Sequence, residues 1–293
     1  ASLTKPLCTA TSVMLLLERG EVGLDAPASQ YLDEFNGHGK EKITVRQLLL
    51  HTSGLTPDNH LRDYQDGPQQ AWERVCDLRL LSPPGDKFRY SDVGFIVLGK
   101  LVERVSGQSL NDFAHENIFA PLGMSKTGYL PATELHARTA PTEQRDGAWM
   151  RGEVHDPRAY ALGGVAGHAG LFSTAQDLAR YAQMMLGEGT LGQETVIKPA
   201  TTKTMTDAYK VSGGLRGLGW DKRSGYSSNR GEGMSASAFG HGGFTGTAIW
   251  VDPELNLFVI FLSNRVHPVG KGSVNRLAGQ IGTIAVKAIR DYE

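Results

Sequence analysis

Blocks of apolar residues recur along the first two thirds of the chain and predict a series of helices. The block over residues 2–20 is apolar on most sides, which is typical of a buried central helix, and Gly20 and Gly23 are suitable residues to end it. Further helices are expected where apolar positions repeat between capping or turn residues. They cover residues 43–50, 71–81, 93–105, 109–118, 173–186 and 199–206.

The pattern changes in the last third of the chain, where β-branched and aromatic residues alternate with polar ones. Residues 215–220 predict a strand. Residues 239–251 and 256–262 predict a hairpin that turns at Asp252-Pro253-Glu254. An amphipathic closing helix is expected over residues 274–292.

These elements predict one unit, residues 1–293, built from two parts. A mostly helical lobe over residues 1–210 is followed by an antiparallel sheet and a closing helix over residues 211–293. The predicted fold class is therefore α/β in the α+β sense. With 40% hydrophobic and 21% charged residues, the composition is ordinary for a globular protein.

Charge and cysteine content argue against several classes of partner. The 30 basic and 31 acidic residues nearly cancel, so neither nucleic acid nor an anionic membrane is expected to be held by bulk charge. No apolar run is long enough to span a bilayer. Cys8 and Cys76 are too few for a disulfide framework, and no zinc-binding spacing is present. We expect no metal or other cofactor, and a small molecule or a peptide as substrate.

The first candidate for chemistry is the pair Ser2 and Lys5 at the start of the first predicted helix. Positions three apart share a helix face, so the hydroxyl and the amine can meet. A serine becomes a nucleophile when a base takes its proton, and a lysine can be that base if burial or nearby positive charge lowers its pKa. Alone, this spacing is common on surface helices without function, so the interpretation depends on residues further along.

Two later stretches supply those residues, Tyr90-Ser91-Asp92 and His241-Gly242-Gly243. Acyl transfer needs a nucleophile, a base, a proton relay and two fixed hydrogen-bond donors. A tyrosine flanked by Lys5 and His241 is expected to have a lowered pKa. The glycines would let a substrate backbone lie close to the strand. Taken singly, Tyr90 fits a packed aromatic residue and His241 a loop histidine.

Together, and in this order, the three stretches resemble the serine β-lactamase and penicillin-binding protein superfamily. The resemblance is greatest to the class C-like branch, which includes DD-peptidases, D-aminopeptidases and family VIII carboxylesterases. It covers nearly the whole chain and implies a β-lactamase/transpeptidase-like fold. The supporting stretches are Leu48-Leu49-Leu50-His51-Thr52-Ser53-Gly54-Leu55, Leu98-Gly99-Lys100, Pro121-Leu122-Gly123-Met124 and Gly170-Leu171-Phe172-Ser173-Thr174-Ala175.

The resemblance implies a role for each motif. Ser2 would be the acylated nucleophile and Lys5 its proton acceptor. Tyr90 would carry a proton to the leaving group, and His241-Gly242-Gly243 resembles the Lys-Thr-Gly or His-x-Gly strand motif. The N–H groups of Ser2 and Phe244 would form the oxyanion hole.

The implied function is that of a periplasmic or secreted serine hydrolase with an acyl-enzyme intermediate. Its substrates would be esters, β-lactams or cell-wall D-amino-acid peptides. The alternative is a catalytically silent binding or scaffold protein with the same fold. The complete set of catalytic residue types argues against that alternative.

Two residues depart from the related pattern. Asp92 stands where the second motif usually ends in Asn, and a carboxylate accepts hydrogen bonds but cannot donate them. His241 is a weaker anchor for a carboxylate than a permanently charged lysine. We therefore expect neutral esters to be preferred over anionic β-lactams, with Asp92, Gly242, Gly243 and His168 as the substrate-binding candidates.

Several polar residues keep two interpretations. His155 and His168 could bind substrate or handle protons near the cleft, or His168 could be satisfied by backbone carbonyls in its glycine-rich loop. His51 is expected to brace its turn. Asp25 is expected to cap or pair locally.

The position of Ser2 leads to one further expectation. Helix and strand elements that precede the serine in the related family are absent from this sequence. An upstream segment is therefore expected to complete the fold, and a five-stranded sheet is not expected to form from these residues alone.

Overall fold

The first helix has a π-helical start in the computed structural model, which describes residues 1–291. The π-helical segment Lys5–Ala10 continues directly into α1, Thr11–Glu18. All of Lys5–Ala10 is buried, and so is α1 through Leu16. The predicted central helix is thus present, and it ends just before Gly20, whose φ of 76° is left-handed.

The remaining helices are mostly short and capped. Thr44 forms a capping box with Gln47 at the start of α2, and Ser91 and Thr174 cap α4 and α8. The α-helices after α1 are α2 Val45–Leu49, α3 Pro68–Asp77, α4 Asp92–Ser106, α5 Leu110–Ala114, α6 Thr133–His136, α7 Pro157–Ala161, α8 Ala175–Leu186, α9 Pro199–Thr206 and α10 Asn275–Arg290. Short 3-10 or π segments are Ala28–Gln30, Lys40–Lys42, Leu61–Tyr64, His115–Phe119 and Ser227–Asn229.

Two helix boundaries differ from prediction. The helix expected over 71–81 begins at Pro68, whose missing N–H is tolerated in a first turn, and it ends at Asp77. Leu78 then has extended backbone angles. The closing helix α10 ends at Arg290, and the predicted end at residue 292 lies outside the described residues.

An antiparallel sheet of six strands forms the second half, in the order β10-β9-β8-β7-β6-β5. Two isolated ribbons, β1–β2 and β3–β4, precede it. The strands are β1 Gln144–Arg145, β2 Ala148–Trp149, β3 Thr190–Leu191, β4 Glu194–Thr195, β5 Tyr209–Val211, β6 Gly214–Arg216, β7 Asp221–Arg223, β8 Phe239–Gly243, β9 Thr247–Asp252 and β10 Leu257–Leu262. The expectation that these residues cannot complete five strands is wrong, because short β5, β6 and β7 extend the sheet beyond β8.

Two predicted strands also need correction. The strand expected over 239–251 is two strands, because the chain turns after Gly243. Gly246 has a φ of 101° there, and its N–H donates to the Gly243 carbonyl. The strand expected over 215–220 ends at Arg216, since Gly217 and Trp220 hydrogen-bond across a tight turn.

The sheet is covered on both faces. Alternate residues of β9 point to opposite sides, so Ile249 and Val251 join the main core with the helices, whereas Trp250 packs with Val286 of α10. No helix among residues 1–291 has both the length and the apolar character needed to cross a membrane. The start of the first helix, the start of α4 and strand β8 meet at one cleft between the helical part and the sheet.

Candidate active site

The amine of Lys5 lies at the centre of the site and approaches three oxygen atoms. Its Nζ is 3.0 Å from Ser2 Oγ, 3.0 Å from the His168 carbonyl oxygen and 2.6 Å from Asp92 Oδ1. The Lys5 side chain is fully buried. An ammonium group has three hydrogens to donate, so these three acceptors match it in number.

The charge of Lys5 is set by the neighbouring carboxylate. Burial by itself would lower the pKa of Lys5, but the Asp92 carboxylate and the Tyr90 phenol outweigh it, and the pKa is raised above its usual value. The expected lowering of the lysine pKa is therefore wrong, because the closest charged group is an anion. Lys5 has to lose a proton before it can accept one from Ser2.

Tyr90 lies between two other rings next to Lys5. Its ring centroid is 4.3 Å from that of His51, 4.9 Å from that of Tyr226 and 5.0 Å from Lys5 Nζ. Burial raises the pKa of the Tyr90 phenol, and the opposing effect of Lys5 is smaller. The expected lowering of the tyrosine pKa is also wrong, and the protonated phenol is the favoured form.

His51 holds the backbone on both sides of Tyr90. Its Nδ1 accepts a hydrogen bond from the Ser91 N–H at 3.0 Å, and its carbonyl accepts one from the Arg89 N–H at 2.8 Å. Burial, with the positive charges of Arg216 and Lys5, keeps the pKa of His51 well below its usual value. His51 thus braces the segment that carries Tyr90 as well as its own turn. In the sequence, His51 stands out only because it lies in the family-like stretch that follows α2. That position does not reveal that its partner is Ser91, far along the chain.

His241 lies on β8, 5.9 Å from Tyr90 between ring centroids. Its Nδ1 donates to the Gly242 carbonyl at 2.7 Å, and its buried Nε2 has no hydrogen-bond partner within residues 1–291. Burial, followed by Arg216 and Lys5, lowers the pKa of His241 well below its usual value. The imidazole is therefore neutral, so β8 presents no permanent cation at this position.

The two glycines after His241 keep β8 close to its neighbours. A Cβ on Gly242 would lie 2.3 Å from Asn229 Nδ2, and one on Gly243 would lie 2.3 Å from Thr247 Oγ1. Neither position has space for a side chain without movement of those groups.

The glycine-rich loop before Leu171 is fastened to the first helix. Thr9 Oγ1 donates to the Gly167 carbonyl at 2.7 Å, and Thr4 Oγ1 accepts from the Leu171 N–H at 3.1 Å. These contacts, together with the bond from Lys5, fix the His168 carbonyl at the site.

The imidazole of His168 is not part of the cavity lining and lies behind Asp156, which does line the cavity. It is fully buried, and its Nε2 is 2.9 Å from Asp156 Oδ1. The structure does not place this side chain where a substrate could touch it, and its partner is a carboxylate rather than the backbone carbonyls of the other interpretation. Asp156 also caps α7 through the N–H groups of Arg158 and Ala159.

The other two uncertain residues have local partners. His155 Nε2 lies 2.6 Å from Glu143 Oε2, and its ring stacks on Phe244 at 5.8 Å at the edge of the cleft. Asp25 accepts from Arg46 Nε at 2.7 Å, which is the local pairing expected for it.

A cavity of about 840 Å³ opens over these groups. Its lining includes Ser2, Tyr90, Asp92, His241 and Phe244. The structure thus brings the predicted catalytic and oxyanion-hole residues to one cleft, with Lys5 buried directly behind Ser2. This arrangement suits activation of a serine hydroxyl beside a proton-donating phenol.

One group of side chains in the site could ligate a metal ion. Oxygen or nitrogen atoms of Asp92, Asp156 and His168 lie within 4.8 Å of one another. Each already has a protein partner, because Asp92 faces Lys5 and His168 pairs with Asp156. A metal would have to displace an ammonium group or an imidazole that occupies the same oxygens.

A sequence model of the Beta-lactamase family matches residues 1–282. The chain belongs to the β-lactamase family. This confirms the resemblance inferred from the sequence motifs.

Two curated relatives of this chain are named as a carboxypeptidase and an amidase. A protein of Escherichia coli K12, provisionally named a D-alanyl-D-alanine carboxypeptidase, is 32% identical over 91% of this chain and 68% of its own length. The N-acetylmuramyl-L-alanine amidase of Bacillus subtilis 168 is 32% identical over 91% of this chain and 67% of its own.

A solved family VIII carboxylesterase has the same fold as this β-lactamase family member. It superposes with a TM-score of 0.73 at 21% identity, over 97% of this chain and 82% of its own. The predicted β-lactamase/transpeptidase-like fold is therefore confirmed. The family and its relatives identify a hydrolase of the β-lactamase and DD-peptidase kind.

Proposed function

We propose that this protein is a serine hydrolase that forms an acyl-enzyme on Ser2. The observation that carries the proposal is the 3.0 Å contact between Ser2 Oγ and the buried Lys5 Nζ at a cavity lined by Tyr90 and His241. A hydroxyl, an amine and a phenol at one cleft are the groups that acyl transfer requires. The relatives' names, an amidase, a carboxypeptidase and a carboxylesterase, support the same chemistry.

The proposed acylation begins with Lys5 as a neutral amine. Lys5 accepts the Ser2 proton while Ser2 Oγ bonds to the substrate carbonyl carbon, and the N–H groups of Ser2 and Phe244 stabilise the oxyanion. When the tetrahedral intermediate collapses, Tyr90 gives its proton to the leaving oxygen or nitrogen. Lys5 returns a proton to Tyr90, so the acyl-enzyme forms with both groups in their starting states.

Deacylation is proposed to reverse these proton movements with water as the nucleophile. Water gives up a proton, which passes by way of Tyr90 to neutral Lys5, as the water oxygen bonds to the acyl carbon. The Ser2 oxygen leaves and regains a proton, which restores the free hydroxyl. Asp92 keeps Lys5 protonated between turnovers. It thereby limits the fraction of enzyme molecules in which Lys5 is neutral and able to accept the Ser2 proton.

Substrate choice is proposed to favour neutral acyl donors over β-lactams. Because Lys5 pairs with Asp92, the carboxylate adds no net charge to the cleft. The proposed preference for neutral substrates therefore depends on His241 and not on Asp92. A neutral imidazole offers a β-lactam carboxylate no cation, which weakens binding of that group. Esters and cell-wall peptide amides are the proposed substrates, the latter outside the cytoplasm.

The test is a set of parallel rates on p-nitrophenyl butyrate, a D-Ala-D-Ala peptide and nitrocefin. We expect turnover of the ester or the peptide with a kcat/KM well above that for nitrocefin. Ser2→Ala should lower the rate by several powers of ten, as expected for groups that act as a unit. Ser273→Ala, which changes a cleft serine that is not among the partners of Lys5, is the matched control.

Two results would refute parts of this proposal. Full activity in folded Ser2→Ala protein would remove Ser2 as the nucleophile. A strong preference for nitrocefin would show that His241 does not set specificity. No turnover of any substrate, with no adduct on Ser2, would favour the silent binding protein.

A further inference from the structure

Asn229 is a buried amide whose orientation is fixed from one side. It ends the segment Ser227–Asn229 and is only 3% exposed. Its Oδ1 accepts a hydrogen bond from Trp250 Nε1 at 3.1 Å. An indole N–H can only donate, so the amide oxygen must face Trp250 and the amide NH₂ must face the other way.

That other direction is the face of β8 at the cleft. A Cβ built on Gly242 would fall 2.3 Å from Asn229 Nδ2, so the amide occupies the space that a side chain at position 242 would fill. Asn229 and Gly242 both line the 840 Å³ cavity. Among residues 1–291, Nδ2 donates to no protein acceptor, although Oδ1 is satisfied.

Asn229 as a residue is buried, but its unused Nδ2 is not among the fully buried polar atoms that lack a partner. A donor placed in this way is open to water or to a ligand. Here the donor opens onto the cavity, where a ligand can supply the acceptor. Gly242 cannot contribute a side-chain donor of its own, and the Asn229 amide takes its place beside the strand.

The position of Asn229 relates it to one side of the reaction. Tyr226, which precedes its segment, stacks on Tyr90 at 4.9 Å, and His241 is the residue next to Gly242. Tyr90 is the group proposed to protonate the leaving group. Asn229 is thus connected through Tyr226 to the side of the cleft that holds Tyr90.

We propose that Asn229 is a substrate-binding residue that donates a hydrogen bond to a carbonyl oxygen on the leaving group. The preferred substrates are esters or amides whose leaving group carries a second carbonyl close to the bond that breaks. This inference rests on the proposed acyl transfer at Ser2 and adds a specificity determinant to it. Because residue 242 is a glycine, the Asn229 amide has room beside β8. It lets the cleft select such substrates with an uncharged hydrogen-bond donor.

The test uses three butyryl esters that differ only in the leaving group. One releases glycolamide, one glycolate and one propanol, so a neutral carbonyl, a carboxylate and no acceptor are compared. In wild type, kcat/KM for the glycolamide ester should exceed that for the propyl ester by roughly tenfold, the value of one good hydrogen bond. In Asn229→Asp and Asn229→Ala this advantage should fall to about twofold or less, with the propyl ester least affected.

The two variants distinguish the loss of the hydrogen-bond donor from the loss of side-chain packing. Asn229→Asp keeps an oxygen for Trp250 and the shape of the side chain but removes the donor, whereas Asn229→Ala removes both. Asn275→Asp is the charge control, because it places the same charge on the cleft rim and leaves the amide of Asn229 present, although it removes the hydrogen bond that Asn275 Nδ2 donates to Ser228 Oγ. This control should keep the wild-type preference for the glycolamide ester.

Equal losses on all three esters, or an unchanged preference in both variants, would overturn the assignment. Selectivity for glycolate alone would overturn it for neutral carbonyls. Binding of the glycolamide ester to Ser2→Ala protein, measured by calorimetry, needs no turnover and should weaken when Asn229→Asp is added. If that binding does weaken while wild type fails to hydrolyse any ester, the acyl-transfer proposal fails and the Asn229 contact stands.

Discussion

At the scale of single residues, the site depends on the charge that Asp92 gives to Lys5. The Nζ–Oδ1 distance of 2.6 Å makes this the shortest of the three Lys5 contacts. The sequence identified both residues but not their pairing, because a motif gives spacing along the chain and not which side chain meets which. The sequence therefore predicts that Asp92 faces substrate, although its nearest partner is the Lys5 amine.

Asp92→Asn should change the pH dependence of the reaction. Lys5 acts as a base only when neutral, so the rate rises with pH until the raised pKa of Lys5 is passed. Removal of the carboxylate leaves burial to lower that pKa, and the rising limb of kcat/KM should move to lower pH by roughly one to three units. The measurement is a pH profile with p-nitrophenyl butyrate, corrected for spontaneous hydrolysis.

Asp58→Asn is the control for this shift. Asp58 lines the same cleft, but its ionic partner is Arg158 at 3.5 Å and not Lys5. Its profile should match that of wild type. A rising limb that stays in place in Asp92→Asn would mean that Asp92 does not control the lysine.

At the scale of elements, the catalytic groups are fixed by contacts between segments that are distant in sequence. Capping residues allowed α2 and α8 to be located closely, because a cap is a local signal. The break between β8 and β9 was missed, since apolar content continues through a turn that glycine makes possible. The clamp of His51 on the Tyr90 segment was missed for a similar reason, as it joins residues 40 positions apart.

His51→Ala should lower kcat with little change in KM. It removes both the acceptor for the Ser91 N–H and the ring that stacks on Tyr90, so the phenol loses its fixed position. A misplaced proton donor costs roughly 10- to 100-fold in rate. His51→Asn, which can still accept from Ser91, should recover part of this loss. Equal kinetics for the two variants and wild type would remove His51 from the positioning of Tyr90.

At the scale of the whole molecule, the site is shared between the two predicted parts. Lys5, Asp92 and the His168 carbonyl come from the helical part, and His241 comes from the sheet. The order of the helices and strands, and the fold class, could be predicted from the hydrophobic periodicity and from the family's sequence motifs. The covering of both sheet faces and the buried position of Asn229 could not be predicted, because they depend on three-dimensional packing that the order of residues along the chain does not encode.

We propose that residues 1–210 and 211–293 fold as one cooperative unit. Far-ultraviolet circular dichroism reports mainly on the helices. With Trp72 and Trp149 replaced by Phe, fluorescence of the buried Trp220 and Trp250 reports on the region around the sheet. Urea unfolding should give the same midpoint by both signals and by loss of ester hydrolysis. A separate transition for the helical signal would contradict a single unit.

The central claim is that Ser2 becomes covalently acylated. The direct measurement is intact mass and peptide mapping after exposure to a fluorophosphonate probe, which labels activated serines. We expect one adduct per chain, located on Ser2, absent from Ser2→Ala and unchanged in Ser273→Ala. A folded wild-type protein that stays unlabelled, or an adduct on any other residue, would contradict it.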